Sequence, residues 1–579
     1  STGTMSAEEL MKRGKRHLSV ALKEECVNKN HVNLNIVLDH LLSKNKEIDD
    51  AETLEWCKSI IAGDKTYKEF LEIVKSYNNS SICGLVWTAE YVAYRCRTCG
   101  LSPCMSLCMD CFKAADHDGH DFNMFKSQAG GACDCGDESV MDAKGFCPKH
   151  SKNKDRSKIE PPKDLLFVAE IMIPRLVVRL VQYLRHSGAE KQYISKMTSF
   201  ISFLQELSET GDLMQQIFSN VFTSQNDYTT YMISKSDVGV EYDIYEASLK
   251  FDTINVNKYF PELADDLIHK TLLDEMFFWV IKSKFPEHLV TFLLSILPNE
   301  QYKLAFVEVF VEHYRCMMVE LTHSEDKSSV SNSVVHISVQ LLSPLKLAIE
   351  IVTKFHLIHI MFACLKHIIN QARYGNTLNL TSNVMKEHCY WPIVTDFINI
   401  LAHPPIVQYF LNSTSLVNAW ADVISSLQGL NMNRREHDLH VEFETETYYK
   451  AFSAELEICS TPLWALLKHL NDSSSKQLTI NIVNILVTYL NKWFTENSVG
   501  EIEMNPDEMS FHYPLHRYLS LLISNALQQQ GMELTDLLPS LEFLEILYLH
   551  PLHLLVREFF FFFVFPFNFV VGTYKICYV

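Results

Sequence analysis

CRTCGLSPCMSLCMDCFKAADHDGHDFNMFKSQAGGACDCG, running from Cys96 to Gly136, sets this 579-residue chain apart from an ordinary helical protein. Within it C-x-x-C occurs at Cys96/Cys99 and Cys108/Cys111, H-x-x-H follows at His117/His120, and Cys133 and Cys135 close the run. Cys83 stands upstream and a C-x-x-H pair, Cys147/His150, downstream. Each such pair lets two donors chelate one ion from a tight turn. Cys133 and Cys135 are too close along the chain to share an ion well, so they are expected on neighbouring ions.

Nine of the 16 cysteines fall between Cys83 and Cys147, and this clustering means ligands or bridges. Paired C-x-x-C spacings inside a large helical chain favour zinc over a secreted disulfide module. The reducing compartment this requires is the cytoplasm or the nucleus. The scattered Cys26, Cys57, Cys316, Cys364, Cys389 and Cys459 read as small buried hydrophobes.

Three tetrahedral zinc ions need twelve ligand positions. Setting aside Cys104, which lacks a chelating partner, eleven donors remain: Cys83, Cys96, Cys99, Cys108, Cys111, His117, His120, Cys133, Cys135, Cys147 and His150. Either one thiolate bridges two ions or Cys104 is a twelfth ligand. A DNA-reading C2H2 finger does not fit, because its histidines lie three to five residues apart and a basic helix precedes them. A RING does not fit a lone Cys83 well upstream of Cys96.

Around this core the chain reads as helix. Its length predicts two to four domains, and 47% hydrophobic with 21% charged residues is ordinary for globular protein. A net charge of −19 argues against nucleic acid as a partner, since phosphate neutralisation needs a basic surface. Residues 1–78 form a helical lead-in, with helices expected at Ala51–Ala62 and Tyr67–Tyr77. Residues 79–151 hold the metal-organised domain, and the polar stretch 152–164, ending on Pro161 and Pro162, reads as a linker. Helical scaffold is expected over 165–430 and again over 431–558, irregular and solenoid-like.

Polar breaks are expected at Ser324–Ser333, Gln428–Asp438 and Asn471–Lys476, and one strand at Val441, Phe443, Thr445 and Thr447. Ile482, Ile485, Leu486, Tyr489, Leu490 and Trp493 form a one-sided stripe. Ser1–Thr4 ahead of Met5 read as a non-natural start, and no apolar signal core follows. The tail 559–579, FFFFFVFPFNFVVGTYKICYV, reads as an alternative terminus; with Pro566 and Asn568 inside its apolar run, membrane insertion is disfavoured.

The motifs CGLVWTAEYVAYRCRTCG, LCMDCF, HDGH and GGACDCGD, in that order between Cys83 and His150, resemble the UBR box, the zinc domain of the N-recognin type of ubiquitin ligases. HVEFE at His440–Glu444 and MSFHYPLHRYLS at Met509–Ser520 are more weakly similar to family segments. The resemblance implies three zinc ions. One is held by Cys96, Cys99, His117 and His120; a two-ion cluster is held by Cys83, Cys108, Cys111, Cys133, Cys135, Cys147 and His150, with Cys111 bridging. It also implies recognition of free amino termini of protein substrates, with Asp134 and Asp137 at two of the family's peptide-binding acids.

The chain departs from that pattern in several places. Ser102 stands where basic-end readers carry a third Asp, Ala132 where they favour an aromatic, and Cys104 and Ser106 where wall residues are small or aliphatic. Trp87 either restores part of an apolar wall or stacks on its own core. Weak binding of basic amino termini is therefore expected, with amino-terminal or other degrons of a different kind preferred. The family's full-length members are ligases through a RING that recruits a ubiquitin-conjugating enzyme. After His150 this chain has five isolated cysteines and no C-x-x-C, so the alternative is a non-catalytic substrate-binding scaffold. No P-loop, G-x-S-x-G or H-E-x-x-H is present, and no catalytic residue is assigned.

Overall fold

A computed structural model describes residues 5–127, 130–151, 160–234, 240–249, 260, 269–323, 327–375, 377–379, 381–429, 436–438, 441–443, 446–497 and 513–537. Most of the linker, the apolar tail, His440, Glu444 and Met509–His512 lie outside the described residues. The chain clusters into two compact units, one of Ser1–Thr253 with Asp265–Leu347, the other of Ile254–Ala264 with Ala348–Val579. The division thus falls at 347 and not at the scaffold boundary expected near 430.

The first unit opens with α1 (Ala7–Lys12), α2 (Lys15–Val27), α3 (Val32–Leu41), α4 (Ala51–Ala62) and α5 (Tyr67–Ser76). Their starts follow from capping chemistry. Ser6 and Thr66 each accept from the N–H of a glutamate three residues on, whose side chain returns to the cap N–H, and Asp50 accepts from Thr53. The metal-bearing segment contributes β1 (Tyr91–Cys96), α6 (Met109–Ala114) and β2 (Phe122–Ser127). It is followed by α7 (Phe167–Ser187), α8 (Lys191–Ile194), α9 (Thr198–Ser208), α10 (Asp212–Thr223), α11 (Gln225–Tyr228) and α12 (Val240–Leu249). Then come α13 (Leu272–Lys282), α14 (Glu287–Ser295), α15 (Glu300–His323) and α16 (Lys327–Leu342). α7 packs on α10, α12 and α13, and α13 on α15, around Leu176, Phe277, Trp279, Tyr302, Phe306 and Phe310, all buried.

In the second unit the helix Thr414–Leu427 packs against Leu357–Ala372, Lys476–Asn497 and Pro514–Gln529, burying Trp420 completely. Glu455, fully buried, accepts from Arg517 and the Tyr518 hydroxyl. The strand expected through Thr447 is limited to Val441–Phe443, paired with Glu436–Asp438, because the helix Glu446–Lys468 has already begun. The stripe on Lys476–Asn497 is rotated: Val483 and Val487 are buried, whereas Ile485 and Tyr489 are only half-buried. Of the break expected at Ser324–Ser333, residues 324–326 lie outside the described residues, and the rest belongs to the helix from Lys327, which buries Val334, Ile337 and Leu341. The six scattered cysteines are buried. Among the described residues no single helix is long and apolar enough to cross a membrane.

Candidate metal centre

Between α5 and α7 the chain is organised by turns that aim sulfur and imidazole inward. β1 and β2 pair antiparallel, with Cys96 opposite Phe122 and Tyr91 opposite Ser127. The turn after β1 is closed by Gly100 N–H donating to the Cys96 carbonyl at 3.0 Å, which brings Cys99 back beside Cys96. Gly119, at φ +73°, turns the chain so that His120 N–H reaches the His117 carbonyl at 3.1 Å. Phe112 of α6 stacks between Tyr94 and His117, at centroid distances of 4.2 and 4.5 Å, and fixes the His117 ring.

Donor atoms of Cys96, Cys99, His117 and His120 lie within 4.8 Å of one another. Two further groups within this domain satisfy the same limit, Cys83/Cys108/Cys111/Cys133 and Cys111/Cys135/Cys147/His150, and Cys111 belongs to both. Cys133 and Cys135 fall in different groups, and Cys104 falls in none. All three histidines face the sulfurs through Nδ1. Cys96 and Cys99 Sγ lie 3.5 and 3.3 Å from His120 Nδ1, Cys99 Sγ 3.7 Å from His117 Nδ1, and Cys111 Sγ 3.5 Å from His150 Nδ1. A tetrahedral zinc with ordinary bond lengths separates sulfur and nitrogen ligands by about 3.6 Å. The donor set therefore fits zinc in chemistry and in spacing.

Backbone amides complete the sulfur environment. Cys108 caps α6, accepting from Cys111 N–H at 3.4 Å, while Cys108 N–H donates to Cys133 Sγ at 3.2 Å and Cys147 N–H to Cys135 Sγ at 3.3 Å. Such donors favour thiolate over thiol, as a metal requires. Cys83 N–H donates to the Cys135 carbonyl at 2.9 Å and Gly84 N–H to that of Cys133 at 3.2 Å, which ties the lone upstream cysteine to the C-D-C run. The bend after Cys135 needs glycine: Gly136 sits at φ +98°, and a Cβ there would lie 1.9 Å from the Ser81 carbonyl oxygen. Gly136→Ala is expected to lower both the melting temperature and the zinc content of the chain, since backbone strain of about 1–3 kcal/mol adds to a main-chain clash. Calorimetry and metal analysis of the purified variant check this.

One face of this domain abuts the helices of its own unit. Gly84 packs on Pro298, Ala89 N–H donates to Glu287 Oε1 at 3.3 Å, and Gly130 meets Leu294 and His336. A cleft of about 60 Å³ lies at that junction. Ser102, Cys104, Ala132, Asp134 and Asp137 line it from the zinc domain; Leu294, Leu297, Pro298, Lys303, Val339, Ser343 and Pro344 line it from the helical side. Asp134 Oδ2 accepts from Ser106 N–H at 2.8 Å, and Asp137 Oδ1 from the N–H and hydroxyl of Ser139 at 2.9 and 2.6 Å. Each carboxylate thus engages one oxygen locally. Burial pushes the Asp134 carboxyl above the usual range, and the Ser106 amide and the Lys303 and Arg95 cations work against that.

Two residues expected in the cleft are not in its wall. Ser106 stands behind Asp134, its hydroxyl donating to the Ala132 carbonyl at 3.2 Å. Trp87 is buried in the domain's own core, stacked on Tyr91 at 4.8 Å and pressed against Gly131, so it stacks on that core and supplies no apolar wall. The residues supplied by α14–α16, Lys303 above all, carry no sequence signal, because they reach the site only through tertiary packing.

Residues 82–150 match the family described as putative zinc finger in N-recognin (UBR box), and residues 288–496 match the UBR1/2/3-like ARM repeat domain. The chain is similar to E3 ubiquitin-protein ligase Ubr3 of Drosophila melanogaster, at 39% identity over 95% of the chain and 26% of that protein. It is likewise similar to ubr3 of Danio rerio, at 35% identity over 95% of the chain and 34% of the relative. E3 ubiquitin-protein ligase UBR3 of Homo sapiens is 37% identical over 86% of the chain and 31% of its own length. The chain thus spans about a quarter to a third of these curated relatives.

Proposed function

From a chain that carries a UBR-box zinc finger and a UBR1/2/3-like ARM repeat domain, we infer a degron-recognition segment acting in ubiquitin-dependent protein degradation. The box holds three zinc ions, one on Cys96, Cys99, His117 and His120, and two on the seven-donor cluster that shares Cys111. The zinc ions are structural, since four protein donors leave no open position for a catalytic water. Their role is to hold the C-D-C turn, and with it Asp134 and Asp137, at the cleft.

The observation that carries this reading is the convergence of those two carboxylates on one cleft beside Ser102, Cys104 and Ala132. An α-ammonium takes carboxylate oxygens, and the second oxygen of each Asp is the one a peptide terminus would engage. Residues 79–151 form the reader, and the helices on either side position it. Substrate transfer of ubiquitin needs a ubiquitin-conjugating enzyme, and the ligases to which this chain is similar are the class of protein in which that partner acts. The setting is the reducing cytoplasm or nucleus.

With Ser102 where a third carboxylate would stand, a peptide beginning with Arg binds this chain about tenfold to a hundredfold more weakly than it binds a box with all three acids, from a loss of about 1–3 kcal/mol. Titration calorimetry of an Arg-starting peptide into the chain and into its Ser102→Asp variant checks this; equal affinities would remove the assignment of Ser102 to the peptide site.

A further inference from the structure

Lys303 is placed oddly for an ordinary surface lysine. It lies in the opening turns of α15, where the helix dipole presents positive charge and disfavours a cation. It is half-buried, and its ammonium makes no ion pair or hydrogen bond among the described residues. It lines the same cleft as Asp134 and Asp137, and its charge acts on the Asp134 carboxyl.

The charge count in the cleft then differs from the one drawn from the zinc domain alone. Two carboxylates share the cleft with one lining ammonium, and Arg95 acts on Asp134 from behind it, so the cleft offers a ligand at most a single negative charge. A peptide beginning with Arg or Lys brings two positive charges, and a peptide beginning with an uncharged residue brings one, its α-ammonium. The wall points the same way. Leu294, Leu297 and Val339 line the cleft and favour an apolar side chain over a charged one.

We propose that Lys303 is a specificity-determining residue of the UBR-box cleft: supplied by the helical scaffold, it occupies the position of a basic first side chain and restricts the site to free amino termini whose first residue is uncharged. This rests on the box being a reader of amino termini. It assigns the choice of substrate jointly to the zinc domain and to α15.

The test uses the full, zinc-loaded chain and peptides identical after the first residue, starting with Ala, with Arg, or with Nα-acetylated Ala. The wild-type chain is expected to bind the Ala peptide at least about tenfold more tightly than the Arg peptide, and the acetylated peptide not at all. Lys303→Met is expected to raise affinity for the Arg peptide about tenfold or more, and Lys303→Arg to keep the wild-type order. Zinc content and far-ultraviolet circular dichroism identify variants that retain the fold, and Lys303→Arg preserves the charge where Met perturbs packing. Amine-dependent binding of the Ala peptide with an Ala-to-Arg ratio unchanged by Lys303→Met overturns the role of Lys303 and leaves the reader standing. Absence of binding to any free amino terminus, by wild type and variants alike, overturns both.

Discussion

Replacing Cys111 by serine is expected to remove two zinc ions from the chain at once, whereas serine at Cys96 removes one. Cys111 belongs to both four-donor groups of the larger cluster, so under the proposed three-ion assignment its thiolate is the common ligand of two ions. Each structural zinc contributes apparent folding free energy of about 10–16 kcal/mol in small domains at neutral pH, more than a domain of this size can replace from its own core. That core is slight. Trp87, Tyr94, Met105, Leu107, Met141 and Phe146 pack among the cysteines themselves, and β1 and β2 form a single two-stranded sheet. Losing the bridged pair therefore unfolds the C-D-C turn and disperses the cleft, while the single-ion site, held by β1 and the His117/His120 turn, is a separate ligand set. Elemental analysis of the purified full chain should read three zinc ions for wild type, one for Cys111→Ser and two for Cys96→Ser. One ion lost in both variants would show that Cys111 does not bridge.

The second large effect belongs to the helical unit that carries the zinc domain. Glu275 on α13 is fully buried and is the hub of a polar network, accepting from Arg185, from the Tyr228 hydroxyl at 2.8 Å and from Trp279 Nε1 at 3.1 Å. Arg185 is itself buried, donates to the Met232 carbonyl at 3.2 Å and lies over the Tyr245 ring at 4.2 Å. Glu275→Ala leaves a buried guanidinium without its counter-charge, Trp279 Nε1 without its acceptor and the Tyr228 hydroxyl with only the Tyr245 hydroxyl at 3.5 Å. The expected cost is about 3–5 kcal/mol, because the surviving charge bears its desolvation uncompensated. The double variant Glu275→Ala with Arg185→Met should recover much of that loss, since removing both charges leaves no orphan charge. Denaturant titration followed by tryptophan fluorescence reads it.

How much of this was legible in the sequence depends on how local each interaction is. The eleven donors that come together were readable because chelation by a tight turn leaves a spacing signature, and all eleven lie in the three groups of donors. The ends of α4 and α5 were readable for a similar reason, as Asp50 and Thr66 act on N–H groups three residues away. Side chains whose role is set by packing were not. The place of Trp87 is set by Tyr91 and Gly131, which lie against it and are not implied by its own position in the sequence. Ser328, Ser329 and Ser331 suggest a break, yet the burial of Val334, Ile337 and Leu341 draws that segment into helix. Alternation toward Thr447 suggests strand, yet helix begins at Glu446. Lys303 is the furthest case, because nothing near it in sequence points to a carboxylate on the zinc domain.

Function is where these local and distant features meet. The zinc domain supplies acids held in place by metal, and the helices around it supply apolar walls and a cation. On the proposed reading, the acids alone make a basic-end reader with one carboxylate missing, and acids and lysine together make a reader of a different first residue.

The most direct test of the central claim, that this zinc domain recognises the free amino terminus of a protein, is competition between one peptide and its Nα-acetylated copy for the zinc-loaded chain. The account predicts that the free amine binds and that acetylation abolishes binding, with Asp134→Asn abolishing it equally while zinc content stays at the wild-type level. Equal binding of the two peptides, or binding that survives Asp134→Asn, would contradict it.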